Sequence, residues 1–229
     1  MPEGVKIEQL GQRGEVEIWA VDGTFVRKHH DIEFTNYGQH YRFPFIPKNE
    51  VWIDKEATPD ETEFFITHLL VERRLMKSGI SFDHALTVAN AVEHAERMKA
   101  GDVPLSLPLS PEALEAIHVR QIATLPSGVA VWLVDGRKIR SGIYTDFTEG
   151  GHEFVYKFVP PNEIWLDNDL MPKDIGFVLA HEWIERKLMA KGQTYDQAHR
   201  TSSAFENELR TSPNLLEHLP AIIEKGDVS

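Results

Sequence analysis

The chain has 229 residues, of which 41% are hydrophobic and 26% charged, with a net charge of −12 and no cysteine. This is the composition of an ordinary globular protein, and its acidic balance disfavours nucleic acid and anionic membrane surfaces, which need a basic face. Without cysteine there are no disulfides, thiolate metal sites or cysteine nucleophile, so any metal must be held by His, Asp or Glu.

Residues 14–97 fall on residues 127–210 at a constant offset of 113 positions, and 28 of the 84 pairs are identical. A repeat this long means two copies of one unit. Its boundaries predict a first repeat over 1–100, a linker over 101–126 with Pro104, Pro108 and Pro111, and a second repeat over 127–229.

In the first copy, Glu15–Val21 and Thr24–His30 flank Asp22-Gly23, which reads as a hairpin with a type I′ turn. The second copy repeats the pattern with Val129–Val134, Asp135-Gly136 and Arg137–Tyr144. A glycine-centred turn follows (Asn36-Tyr37-Gly38; Glu149-Gly150-Gly151), then an aromatic-rich strand (Tyr41–Ile46; Phe154–Val159) and a short strand through Trp52 or Trp165. This makes about four strands per copy, expected as an antiparallel meander.

The periodicity then changes from two to 3.6. Pro59 and Pro172 suit the first turn of a helix, and Gly79 and Gly192 suit its end. A second helix is expected over about 82–99 and 195–210, a short one over Glu112–Ile117, and a closing amphipathic helix over Pro213–Lys225. Each unit therefore reads ββββαα. The fold expected is α+β, with two tandem repeats packed as a pseudo-two-fold dimer.

On the first helix of the second copy, Val178, His181, Glu185 and Leu188 form one stripe; Phe65, His68, Glu72 and Leu75 are its counterpart. A buried His–Glu pair costs several kcal/mol unless partnered, on the order of the whole stability margin. The second helix offers His199 and Glu206. His68, Glu72, Arg73 and Glu93 recur as His181, Glu185, Arg186 and Glu206, which suits a buried hydrogen-bond and ion-pair network with the arginines offsetting the carboxylates. Three positions belong to the second copy alone: His152, Glu182 and His199 stand where the first copy has Gln39, Leu69 and Leu86.

His181-Glu182-Trp183-Ile184-Glu185 is an H-E-x-x-E pattern on a helix. It resembles the H-E-x-x-H helix of zincin metallopeptidases, with Glu in place of the second His. The resemblance implies His181 and Glu185 as metal ligands, His199 or Glu206 as the third, and Glu182 as the base that takes a proton from the metal-bound water. Zinc or another divalent metal would be the cofactor; the network reading needs none. The longer string Asp146-Phe147-Thr148, Gly150-Gly151-His152, Glu163–Asp167, His181-Glu182, Glu185-Arg186 and Ala198-His199 is similar to a group of uncharacterised bacterial and phage-associated proteins, a resemblance that implies no activity.

The functional expectation is a zincin-like, metal-dependent hydrolase acting on a protein or peptide, with its site in the second copy. The alternatives are a protein-interaction module with a buried His/Glu/Arg network, and a metal-binding protein without catalysis. The N-terminus has no apolar run and no stretch reaches the length of a membrane span, so a cytoplasmic protein is expected, or a mature secreted one.

Overall fold

Asp22 does not sit in a hairpin turn. Its side chain accepts a hydrogen bond from Phe25 N and caps helix α1 (Gly23–His29). Gly23 is needed there because a Cβ would lie 1.7 Å from Asp54 Oδ2, while Gly23 N donates to Asp54 Oδ1 at 3.2 Å. In the second copy, Gly136 opens the equivalent helix, α5 (Gly136–Gly142), and its Cβ would lie 2.1 Å from Asp167 Oδ2. Both expected Asp-Gly hairpins are strand–helix junctions. The local pattern of a turn was satisfied, but a buried carboxylate claims the glycine.

The computed structural model describes residues 5–57, 59–125, 128–212 and 214. The first hairpin joins β1 (Lys6–Arg13) to β2 (Val16–Val21), with Gly14 at φ +61° in the bend. Sequence reasoning missed β1, most of whose residues are exposed and so show no apolar alternation. β3 (Tyr37–Gln39) takes the place of the expected glycine turn, and β4 (Glu50–Asp54) carries Trp52. The expected aromatic strand 41–46 is a set of turns whose Phe43 and Ile46 are buried. After α2 (Thr62–Lys77), α3 (Phe82–Lys99) and α4 (Pro111–Ile117), the second copy repeats the order. It has β5 (His118–Thr124), β6 (Ala130–Val134), α5, β7 (Gly150–His152), β8 (Glu163–Asp167), α6 (Ile175–Ala190) and α7 (Tyr195–Thr211).

The architecture is α+β with two four-stranded sheets, ordered β1-β2-β4-β3 and β5-β6-β8-β7. Neither is the expected meander. β2 pairs in parallel with β4, and β6 with β8, so Trp19 faces Trp52 and Trp132 faces Trp165 in register. A parallel pair needs a crossover rather than a tight turn, and α1 and α5 lie in those crossovers. The repeat is therefore ββαββαα.

The long helices stop at Gly79 (φ +90°) and Gly192 (φ +92°), as expected for left-handed C-terminal glycines. They begin after the prolines rather than at them: Glu61 and Asp174 occupy the N-cap positions. Thr194 and Gln197 form a capping box at the start of α7. α4 and β5 fall within 101–126, the stretch expected to join the copies. The expected closing helix lies outside the described residues apart from Asn214.

The chain divides into two units: Met1–Pro104 with Arg137–Asp146, and Leu105–Gly136 with Phe147–Ser229. In the first, Val16, Ile18, Val51 and Ile53 on the sheet pack with Phe65, Ile66 and Leu69 of α2. In the second, Val131, Leu133, Ile164 and Leu166 pack with Val178, Ile184 and Leu209. No helix among the described residues is long and apolar enough to cross a membrane.

Candidate metal centre

The first unit shows the framework without additions. Arg140 Nε and Nη2 donate to Glu61 at 2.9 and 2.5 Å, and Arg97 Nη1 donates to the same carboxylate at 2.7 Å. Arg97 Nε and Nη2 also donate to Glu93 Oε1, at 2.9 and 2.7 Å. Glu93 Oε2 lies 2.9 Å from His68 Nδ1, and His68 Nε2 lies 3.6 Å from Glu72 Oε2. Gln39 Nε2 closes the chain, donating to Glu72 Oε1 at 2.8 Å. Glu61, Glu93 and Glu72 each have a cation or a hydrogen-bond donor beside them, as burial requires.

The second unit keeps the framework and loads it differently. Arg210 donates to Asp174 and, through Nε at 2.8 Å, to Glu206 Oε1. Glu206 Oε2 lies 3.0 Å from His181 Nδ1. His181 is thereby turned so that Nε2 faces Glu185 Oε2 at 3.5 Å and His199 Nδ1 at 3.2 Å. His199 Nδ1 lies 2.7 Å from Glu185 Oε2. On the other side of the same carboxylate, His152 Nε2 lies 3.2 Å from Glu185 Oε1.

Three donor atoms (His181 Nε2, His199 Nδ1, Glu185 Oε2) therefore stand 2.7 to 3.5 Å apart. Four-coordinate zinc with bonds of 2.0–2.2 Å places its ligand atoms about 3.4 Å from one another. Two of the three edges match. The short edge is a His199–Glu185 hydrogen bond that an ion would replace. His199 is the most open member, its side chain 28% exposed, and the half-exposed Tyr195 ring stacks on it with centroids 5.1 Å apart.

The electrostatics follow from burial and contact. Burial opposes charge on His181, but its hydrogen bonds to Glu185 and Glu206, with the negative charges of Glu182 and Glu206, hold its pKa well above the ordinary histidine value. Burial would also raise Glu185, yet the close approach of His152, His181 and His199, with the His181 charge, keeps it well below the usual carboxylate range. Glu182 has no such set. Burial pushes it up to about 8, against the pull of the His181 charge and with the Glu185 charge adding to the rise. In the first unit, burial opposes charge on His68, and Glu72 and Glu93 raise it to about 9.

The sequence-derived candidates are placed unequally. His181, Glu185 and His199 come together, and His152 and Glu182 gather on Glu185 as a second group, all buried, with donor atoms within 4.8 Å of one another. His152 is fully buried in β7. Glu206 stands behind His181, on the nitrogen that faces away from Glu185. Arg186 does not offset the carboxylates: it donates to Glu153 at 2.6 Å and Asn162 at 3.2 Å. Arg73 is likewise engaged, with Lys48 O at 2.7 Å. Arg97 and Arg210 perform that task instead, and were missed although they recur at matched positions four residues after Glu93 and Glu206.

Compared with protein-family models, curated proteins and solved structures, the chain has no significant match.

Proposed function

We propose that the protein is a metal-dependent hydrolase, peptidase-like in its helix pattern, with its site in the second copy. One observation carries this reading. Three metal-donor side chains that the second copy has and the first lacks at the matched positions, His152, Glu182 and His199, all converge on Glu185. In the first copy the same places hold Gln39, Leu69 and Leu86, and Gln39 Nε2 donates to Glu72 Oε1 at 2.8 Å.

His181, His199 and Glu185 are the ligands in this reading. Two imidazoles and one carboxylate form a donor set found in catalytic zinc sites, and also one that suits Fe(II). Glu206 holds the His181 ring by Nδ1, a carboxylate behind a metal-bound imidazole that orients it and raises its basicity. Bound there, a divalent ion would polarise a substrate carbonyl and make water acidic near neutral pH. Glu182, adjacent to His181 in sequence and buried beside Glu185, is the proton acceptor. The open His199–Tyr195 side is where a peptide would enter.

The network reading describes the first unit, where Glu61, Glu72 and Glu93 are each met by Arg, Gln or His. It fits the second copy less well, because Arg186 is turned to Glu153 and no framework arginine reaches Glu182 among the contacts of the described residues. Element analysis of untagged protein separates the readings. Wild type should carry zinc, iron or manganese, and His181→Ala should not. Metal-free wild type with no thermal shift on adding these ions would overturn the proposal. Glu182→Gln should keep the ion on His181, Glu185 and His199 and lose turnover on a peptide panel. Turnover that survives removes Glu182 from the base role and leaves a metal-binding protein without this chemistry.

A further inference from the structure

We infer that the second copy holds a second divalent cation on the other oxygen of Glu185, with His152 and Glu182 as its further ligands. The inference builds on the metal reading above, changes it from a one-ion to a carboxylate-bridged two-ion centre, and makes Glu182 a ligand of the second ion in place of its proton-acceptor role.

The two oxygens of Glu185 face different groups. Oε2 lies 2.7 Å from His199 and 3.5 Å from His181, whereas Oε1 lies 3.2 Å from His152 Nε2. His152, Glu182 and Glu185 each present a donor atom within 4.8 Å of the other two, and all three are buried. A carboxylate with one oxygen in each of two ligand groups is the geometry of a bridge between two ions.

His152 supplies the independent observation. Its side chain is fully buried, and its Nε2 approaches Glu185 Oε1 at 3.2 Å without making a hydrogen bond to any described residue. A buried polar atom left unmet is uncommon and calls for a partner. The ring plane is fixed from the far side, where Nδ1 accepts from Phe154 N at 3.3 Å. An ion on Nε2 would move the ring proton to Nδ1 and give up that long contact.

The first copy shows the closed form of the same place. Gln39 Nε2 donates to Glu72 Oε1 at 2.8 Å, and Gln39 Oε1 accepts from Tyr41 N at 2.7 Å, so the amide is satisfied on both sides. Leu69 there adds no charge. In the second copy the amide is exchanged for an imidazole with an unmet nitrogen, and the leucine for a second buried acid. Both exchanges replace a hydrogen-bonded or apolar group by a metal donor. A one-ion site needs His199 and a base; only a second ion gives His152 a role as a ligand. Two bridged ions suit substrates in which the attacking water and the leaving group both need charge stabilisation, as in phosphoesters or terminal peptide bonds.

The test counts ions. Metal-free protein is loaded with Zn(II) and freed of excess by gel filtration, and zinc per chain is measured for wild type, His152→Gln and Glu182→Gln. Mn(II)-loaded samples are examined by electron paramagnetic resonance for a spin-coupled pair. His152→Gln installs the amide the first copy already tolerates, and circular dichroism checks the fold of both variants. The expected result is two ions in wild type with a coupled manganese spectrum, and one ion with an uncoupled spectrum in either variant. One ion in wild type, unchanged in His152→Gln, would overturn the inference and leave the one-ion reading standing. Two ions that survive both variants would place the second ion elsewhere and also overturn it. No ion at all would sink both readings.

Discussion

Glu206 meets His181 at Nδ1, 3.0 Å away, and so decides which ring nitrogen faces Glu185 and His199. Glu93 meets His68 in the same way at 2.9 Å. The contact is therefore part of the framework that both copies share. Replacing Glu206 by Gln keeps an acceptor for Arg210 but weakens the hold on the ring. Such outer contacts are typically worth 10- to 100-fold in metal affinity. Glu206→Gln should weaken Zn(II) binding by about that factor in a chelator competition titration, with the circular dichroism spectrum unchanged. Unaltered affinity would remove Glu206 from ring orientation.

Leu69 and Glu182 occupy equivalent places, both buried. Exchanging them should have opposite effects on metal-free protein. Leu69→Glu buries a carboxylate among Val51, Ile53 and Phe65 and should destabilise by about 3 kcal/mol or more. Glu182→Leu removes a buried acid and should be neutral or stabilising, by about 1 kcal/mol, while abolishing activity. Urea midpoints of the two variants check both signs.

His68 makes stability depend on pH. Its ordinary value of 6.5 is raised to about 9 in the folded protein, despite burial, by the hydrogen bonds and charges of Glu72 and Glu93. The groups facing it are Glu72 on its own helix, Glu93 on α3, the Tyr37 ring on β3 and Asp146, which burial pushes up to about 6. A raised histidine pKa contributes stability that is fully present below about pH 6.5 and is lost as pH rises through about 9. The contribution is at most roughly 3 kcal/mol. Denaturant titrations of metal-free protein at pH 6, 7.5 and 9 should show the decline, to which the raised His181 and Glu182 add with the same sign, and His68→Gln should make it shallower. An equal slope in the variant would assign the decline to other groups.

Gly23→Ala should be among the most destabilising single-methyl additions in the chain. The added Cβ would lie 1.7 Å from Asp54 Oδ2, and Asp54 cannot move freely because Arg27 Nη1 holds it at 2.8 Å. A loss of about 3 kcal/mol or more is expected, against a small effect for a cavity-neutral surface change. Thermal melting of the two proteins side by side tests this, and an unchanged midpoint would mean the junction rearranges without strain.

The long helices were legible because a 3.6-residue stripe, a glycine stop and a second copy all agreed. The stripe also exposed His181 and Glu185 as misfits on an apolar line, and comparison of the copies isolated His152, Glu182 and His199. The strands were less legible. β1 is largely exposed and carries no alternation, and Asp22-Gly23 has the same letters whether it turns a hairpin or caps a helix. What separates the two is Asp54, which is 32 residues further on and was invisible to a local pattern.

By itself the sequence determined that the protein is two copies of one α+β unit, and which acidic and imidazole side chains each copy must bury. Those follow from periodicity and repetition, which are properties of the chain alone. Only the tertiary structure decided which charges meet. Arg186 follows Glu185 directly, so the helix turns it about 100° away to Glu153. Arg210 lies one helical turn beyond Glu206 and shares its face. With the arginines so placed, Glu61, Glu72 and Glu93 of the first copy are each met by a cation or a hydrogen-bond donor, while in the second copy the polar groups around Glu185 face one another. That difference depends on long-range packing between strand, first helix and second helix, and no local stretch of either copy contains it.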